Sequence, residues 1–330
     1  MKKYYVFILS LVIFFASCNS PIKHQFRGEA QGSYYSVIYY DASDRDLQSE
    51  IEILLTDFDQ SASNYQQNSI ISKVNRGEDV VLDEIFIGNF KLAERISEET
   101  DGNFDITVRP LVQAWGFGSI EALDMDSAIV DSIMYFVGYN KVDLINGIVV
   151  KNDNRLKLDF DAIAQGYSVD VVCDFLESNG INSYLVDIGG EVYASAYKNK
   201  NEYWTVGIEK PNENAAYGDD LSAVINLSEK GMATSGNYRK FYIKEGVKYS
   251  HTISPHTGYP ISSILLSATV IASTTAEADA YATSFMVMGL EKSKVFLDSH
   301  NDIDAFLIYS DDNGDYKNYY TEGLIKMLKQ

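Results

Sequence analysis

The stretch "LLSATVIASTTAEADAYATSFMVMG", Leu265 to Gly289, runs a strand straight into a helix, and that succession decides the fold class. Leu265 to Ala272 is apolar and β-branched, the composition of a buried strand. Thr274 and Glu277 then have the spacing of a capping box, in which each side chain satisfies a backbone N–H of the other residue, so a helix starts at Thr274. Within it Asp279 and Thr283 lie four apart and share one face. A carboxylate and a hydroxyl so placed offer two hard oxygen donors to Mg²⁺, which takes few protein ligands and completes its shell with phosphate and water. The same pair suits a solvated helix face, and the spacing alone favours that plainer reading.

Working outward, "GSYYSVIYYDAS" (Gly32 to Ser43) reads as a strand ending in a turn. Leu47, Ile51, Leu54, Leu55 and Phe58 recur at helical spacing between Asp46 and Asp59, as do Phe86, Phe90, Ala93 and Ile96 between Leu82 and Thr100. A further helix is predicted from about Ala164 to Ser178, stopped by Asn179-Gly180. "SYLVDIGG" (Ser183 to Gly190) is a buried strand closed by glycines, and short strands are predicted at "YWTVGIE", "AVINL" and "KFYIK". Helices and antiparallel-looking strands mix without a regular βαβ alternation, so the fold class is α+β.

The 330 residues carry 47 acidic and 27 basic side chains, a net charge of -20, with 46% hydrophobic residues to fill a core. So acidic a surface repels nucleic acid and anionic headgroups, and an anionic small molecule would need a metal ion or local cations to approach. The opening "MKKYYVFILSLVIFFASC" has two lysines, an apolar run from Tyr4 to Phe15, and small residues before Cys18. That run is short for a membrane span and reads as an export signal over residues 1–17. It resembles a bacterial lipoprotein signal, with Cys18 as the lipidated first residue of the mature chain, although Phe15 stands where Leu is usual. Residues 18–24 then form the lipidated cysteine and a polar tether, and 25–330 a single folded unit. Cys173 is left without a partner for a disulfide, as a small core residue of a helix.

Other segments carry chemistry less sharply. In "LDFDAIAQGYSVD", Asp159 and Asp161 precede a helix N-terminus, which favours an anion, yet neither GxGxxG nor GxxxxGK[ST] occurs. "TDGNFDITVRPLVQAWGFG" sets aromatics beside polar groups, as a wall for a planar ring or as ordinary core. "GMATSGNYRKFY" offers Thr234, Ser235, backbone amides at Gly236 and the positive Arg239. "YSHTISPHTG" holds His251 and His256 around Pro255.

Taken in order, "SNYQQNSIISKVN", "TDGNFDITVRPLVQAWGFG", "LDFDAIAQGY", "YLVDIGGEVYA", "ATSGNYRKFY", "YSHTISPHTGYP" and "TTAEADAYATSFMVMG" resemble the ApbE family, the FAD:protein FMN transferases, over about Gln31 to Leu290. The resemblance implies a single ApbE-type, T-fold-like domain of mixed, largely antiparallel sheets with packed helices. It also implies an exported lipoprotein, anchored in the bilayer through Cys18 and facing the periplasm. Its chemistry would be Mg²⁺-dependent transfer of the FMN half of FAD to a threonine hydroxyl of a membrane-associated redox subunit, with release of AMP. Asp279 and Thr283 match the family's metal-binding helix, with backbone carbonyls of Ala162 and Ala282 as further ligands. Tyr65, Asn103, Phe104, Asp105, Asp159, Gln165 and Ile253 match FAD-contacting positions. His251 matches the histidine proposed to take the acceptor's proton, a role that imidazole suits, and His256 matches a position of loop support or phosphate contact.

Three departures stand out: Ser254 where Asp is usual, Gln165 where Lys is frequent, and Gln31 where Met is common. Two alternatives stay open on the sequence. One is hydrolysis of FAD to FMN and AMP, and the other is a non-catalytic FAD-binding lipoprotein.

Overall fold

The computed structural model describes residues 20–117, 123–198, 202–212, 218, 220–237, 241–244 and 247–329. Cys18 and Arg239 lie outside the described residues. The strands are β1 (Ile22–Ala30), β2 (Ser33–Asp41), β3 (Val142–Ile145), β4 (Ile148–Lys151), β5 (Tyr184–Ile188), β6 (Glu191–Ala194), β7 (Trp204–Glu209), β8 (Leu221–Leu227), β9 (Lys230–Gly236), β10 (Phe241–Lys244), β11 (Val247–Ser250), β12 (Leu265–Ala272), β13 (Asp304–Ser310) and β14 (Tyr316–Tyr320). The helices are α1 (Gln48–Ala62), α2 (Ile70–Arg76), α3 (Glu84–Glu99), α4 (Arg109–Ala114), α5 (Ser127–Met134), α6 (Ala164–Ser178), α7 (Thr275–Met288), α8 (Leu290–Ser299) and α9 (Glu322–Met327).

Eight strands form one sheet in the order β1-β2-β5-β6-β9-β12-β13-β14, with every neighbouring pair antiparallel. Three two-stranded ribbons, β3-β4, β7-β8 and β10-β11, stand apart from it. The α+β reading therefore holds. Alternation along each strand sends successive side chains to opposite faces. Tyr35, Val37 and Tyr39 of β2 pack with Ile51, Leu55, Val169 and Leu176 on the helical face, whereas Ile38 and Tyr40 join Trp204, Ile225 and Leu324 on the other. The largest core cluster gathers α3, α7, β12 and the 156–163 segment.

Residues 22–24, read from the sequence as tether, are already strand. Ile22, His24 and Phe26 alternate with Lys23, Gln25 and Arg27, and the whole run pairs with β2 from Ile22–Asp41 to Ala30–Ser33. An edge strand exposes enough of its surface to tolerate those charges, which disguised it.

The sheet has two ends. At one lie Ile22, Asp41, Tyr184, Ala194 and Lys230, and at the other Ala30, Ser33, Ile188, Glu191 and Gly236. Helix α7 starts at the first end, with its capping box formed as expected, and climbs toward the second. It lies so close to its neighbours that a Cβ on Gly166 of α6 would fall 2.4 Å from the carbonyl oxygen of Thr275, and one on Gly231 of β9 would fall 2.3 Å from the Thr275 nitrogen.

Candidate functional site

Asp279 is buried, which overturns the solvated-face reading of its helix. Ten residues of α7 are buried, because α6, β9, β12, α3 and α8 surround it and its alanines let them approach. The Asp279 carboxylate accepts a hydrogen bond from the Gly166 N–H at 3.1 Å, tying α7 to the first turn of α6. Burial pushes its pKa up to about 7, with the charge of nearby Asp170 adding to the shift. One turn along, the Thr283 hydroxyl shares a 3.0 Å hydrogen bond with the Ser235 hydroxyl of β9. Ala282 is completely buried, and Ala162 sits half-buried in the turn that leads into α6. Gln165 projects over Gly189, close enough that a Cβ there would meet its side-chain nitrogen at 2.4 Å.

The segment before α6 forms the second part. Asp159 accepts from Arg109 at 3.1 Å on one carboxylate oxygen, and from Asn64 at 3.2 Å and the Asp161 N–H at 3.0 Å on the other. Asn75, buried in α2, donates to Asn64 Oδ1 and to the Leu158 carbonyl, each at 2.9 Å, and accepts from the Leu158 N–H at 2.7 Å. Tyr65, exposed, reaches across to Asp161 with a 3.2 Å hydrogen bond, and that neighbouring charge pushes its phenol up to about 12. Asn64, Asn75 and Arg109 carry no role in the sequence reading. They stand eleven to forty-five residues from one another, and only the fold brings them to Asp159.

The 100–109 loop is the third part. Asp105 is buried, which raises its pKa, and its carboxylate binds the Thr107 N–H and hydroxyl, each at 2.7 Å, and the Tyr139 N–H at 2.8 Å. Asn103 donates to the Thr100 carbonyl at 2.7 Å, and Phe104 is buried in the main core. Ile253 packs with Leu111 and Trp115. His251 follows β11, with its ring edge-on to Phe117 at 6.5 Å. His256 lies near Asp105 and near Gly102. Ser254 does the turn chemistry expected of an Asp: its hydroxyl accepts from the Thr257 N–H at 3.3 Å, while Gly258 N–H closes onto the Ser254 carbonyl at 2.8 Å.

The Asp279 region fits a hard dication. No cationic side chain opposes its buried carboxylate among the described residues, and a buried charge without a partner is costly. The adjacent hydroxyls of Thr283 and Ser235 supply further oxygen. No group of three His, Cys, Asp or Glu side chains gathers among the described residues, so a protein cage of the zinc or calcium kind is not built there. A site that offers one carboxylate and two hydroxyls suits Mg²⁺, which takes few protein ligands.

The ApbE family matches residues 31–307. The chain is 32% identical to the FAD:protein FMN transferase of Vibrio cholerae over the full length of both, and 32% identical to that of Escherichia coli K12 over 88% of each. Among solved structures, the flavin transferase ApbE from Vibrio cholerae superposes with a TM-score of 0.83 at 30% identity, covering 93% of this chain and all of that one. The apo flavinyl transferase ApbE of Pseudomonas stutzeri gives a TM-score of 0.82 at 30% identity, covering 94% of this chain and 98% of that one. On the match across most of its length and on the agreement of the whole fold, this chain belongs to the ApbE family.

Proposed function

We propose that the chain transfers the FMN half of FAD to a threonine hydroxyl of a target redox protein in a Mg²⁺-dependent reaction that releases AMP. Family membership makes it a transferase; the metal, the threonine and the leaving group are our reading. The observation that carries it is Asp279, a buried carboxylate beside two hydroxyls and without a counter-cation among the described residues, in a protein of net charge -20. An anionic dinucleotide approaches such a protein only with charge compensation at the site.

Asp279 and Thr283, with the backbone at Ala162 and Ala282, would hold the ion. When bound, Mg²⁺ offsets charge on the diphosphate and orients it for in-line displacement. The 157–161 segment, fixed by Asn64, Asn75 and Arg109, presents Asp159 to the nucleotide, and Gln165 supplies an uncharged amide where a lysine is frequent. The threonine oxygen attacks the phosphorus nearer the flavin, the bond to the AMP phosphate breaks, and the hydroxyl proton passes to His251. We read the protein as an exported lipoprotein held in the membrane through Cys18, facing the periplasm, with a membrane-associated redox subunit as acceptor.

The test is incubation with FAD, Mg²⁺ and a candidate redox subunit, followed by a denaturing gel. A flavin-fluorescent acceptor band that disappears with chelator is expected. Free FMN and AMP without that band would make water the acceptor, and bound FAD with no AMP at all would reduce the protein to a flavin binder.

A further inference from the structure

We infer that the end of the sheet opposite the candidate site is a membrane-seating surface, on which Ile22, Tyr197 and Tyr203 rest at the headgroup level of the bilayer. The inference deepens the lipoprotein reading and rests on lipidation of Cys18. Only three residues, Asn19 to Pro21, separate Cys18 from Ile22, the first residue of β1, and the four steps between them reach at most roughly 14 Å. So short a connection holds the Ile22 end of the sheet against whatever Cys18 is anchored in.

That end is furnished for an interface. Ile22 is 47% exposed and Tyr197 and Tyr203 44% each, with the two tyrosine rings 5.2 Å apart. Both belong with the Ile22 end, because Ser183, whose carbonyl accepts from Tyr40 N–H, donates its hydroxyl to the Tyr197 carbonyl at 2.8 Å. Tyr40 in turn pairs with Lys23 in the β1-β2 register. Tyrosines with an apolar body and a polar tip, accompanied by lysines, are the residues that membrane–water interfaces collect. Lys23, Lys198 and Lys230 supply the cations at this end, set against Asp44, Glu202 and Glu229, so the patch is close to neutral on a strongly acidic molecule and suits a zwitterionic surface.

The geometry has a consequence for the acceptor. The site residues Gln165, Ser235 and Thr283 lie toward the other end, and β1 and β2 are nine residues long, about 30 Å. With the strands upright on that seat, the site works about 25 Å above the bilayer. The acceptor it fits is a segment that stands clear of the membrane at that height, rather than one lying at the headgroups.

The test uses the full lipidated chain on neutral phosphatidylcholine–phosphatidylethanolamine vesicles, with an environment-sensitive dye on Tyr203→Cys or, as the far-end control, on Ile264→Cys. The mass of the N-terminal peptide reports lipidation separately. The expected result is a blue shift at position 203 on vesicles, with quenching by shallow nitroxide lipids several-fold greater than at position 264. An acylated chain whose dye at 203 stays in water overturns the seat and leaves the lipoprotein reading standing. An N-terminal peptide without acyl mass overturns both. A blue shift already present in a vesicle-free dimer gives the patch to a second copy of the chain and also overturns it.

Discussion

At the scale of single residues, Asp279 separates metal chemistry from scaffolding. Its carboxylate has one neutral hydrogen bond, from Gly166, and no cation among the described residues, so its charge is a cost to the fold that function must justify. Asp279→Asn keeps an oxygen for the Gly166 N–H and removes the charge. The variant should melt no lower than the parent, while AMP release falls by roughly 10²–10³-fold, the usual loss when one electrostatic contributor at a reacting centre is removed. Calorimetry and AMP release on the same preparation check this, and a stable variant with undiminished turnover would sink the metal assignment. The sequence carried the identity of this residue but not its surroundings. The pair Asp279 and Thr283 was legible as one helix face, yet its spacing favoured a solvated face, whereas the alanines around it let the neighbouring elements pack closely over it. Asn64, Asn75 and Arg109 were illegible for another reason: Asn64 and Arg109 reach Asp159, and Asn75 reaches Asn64 and Leu158, through tertiary contact, and no local period marks that.

At the scale of elements, the Asp279 site depends on how tightly α7 is pressed between α6 and β9. The closest approaches are at Gly166 and Gly231, where an added methyl would meet the Thr275 backbone rather than a movable side chain. Gly166→Ala and Gly231→Ala should each destabilise the protein by about 1–3 kcal/mol, the usual range for overpacking, with an unchanged urea m-value. A second element, the turn between β2 and α1, predicts a pH effect. Asp41 binds Arg45 Nε at 2.8 Å and the Ser43 N–H at 3.0 Å, and the guanidinium beside it lowers its pKa to about 2. Because the folded value lies below the ordinary one, this contribution is present above about pH 4 and is lost as pH falls through 2. Asp41→Asn should lower the melting temperature at pH 7 and flatten its decline between pH 4 and 2; an equally steep decline would show that other carboxylates dominate. Strongly periodic elements such as α1, α3 and α6 were legible in advance, and so was α7 through its capping box. The charged edge strand β1 was not, because its pairing with β2, not its composition, makes it a strand.

At the scale of the whole molecule, a net charge of -20 acts on everything the protein does. Self-repulsion works against the compact state, so any salt should stabilise it by screening, and a rise in melting temperature with MgCl₂ is not by itself a sign of a site. The two effects separate if MgCl₂ is compared with KCl at matched ionic strength. Screening depends on ionic strength and treats both salts alike, whereas an ion bound only by the folded state adds stability by mass action, about 2.7 kcal/mol at a hundredfold excess over Kd. For a chain of this size that amounts to a further rise of roughly 5 °C. The wild type should show this excess over the KCl control, and Asp279→Asn should show only the shared screening response. Equal curves for the two salts in the wild type would mean that the buried carboxylate does not bind magnesium in the free protein, and that any metal enters only with the diphosphate of FAD.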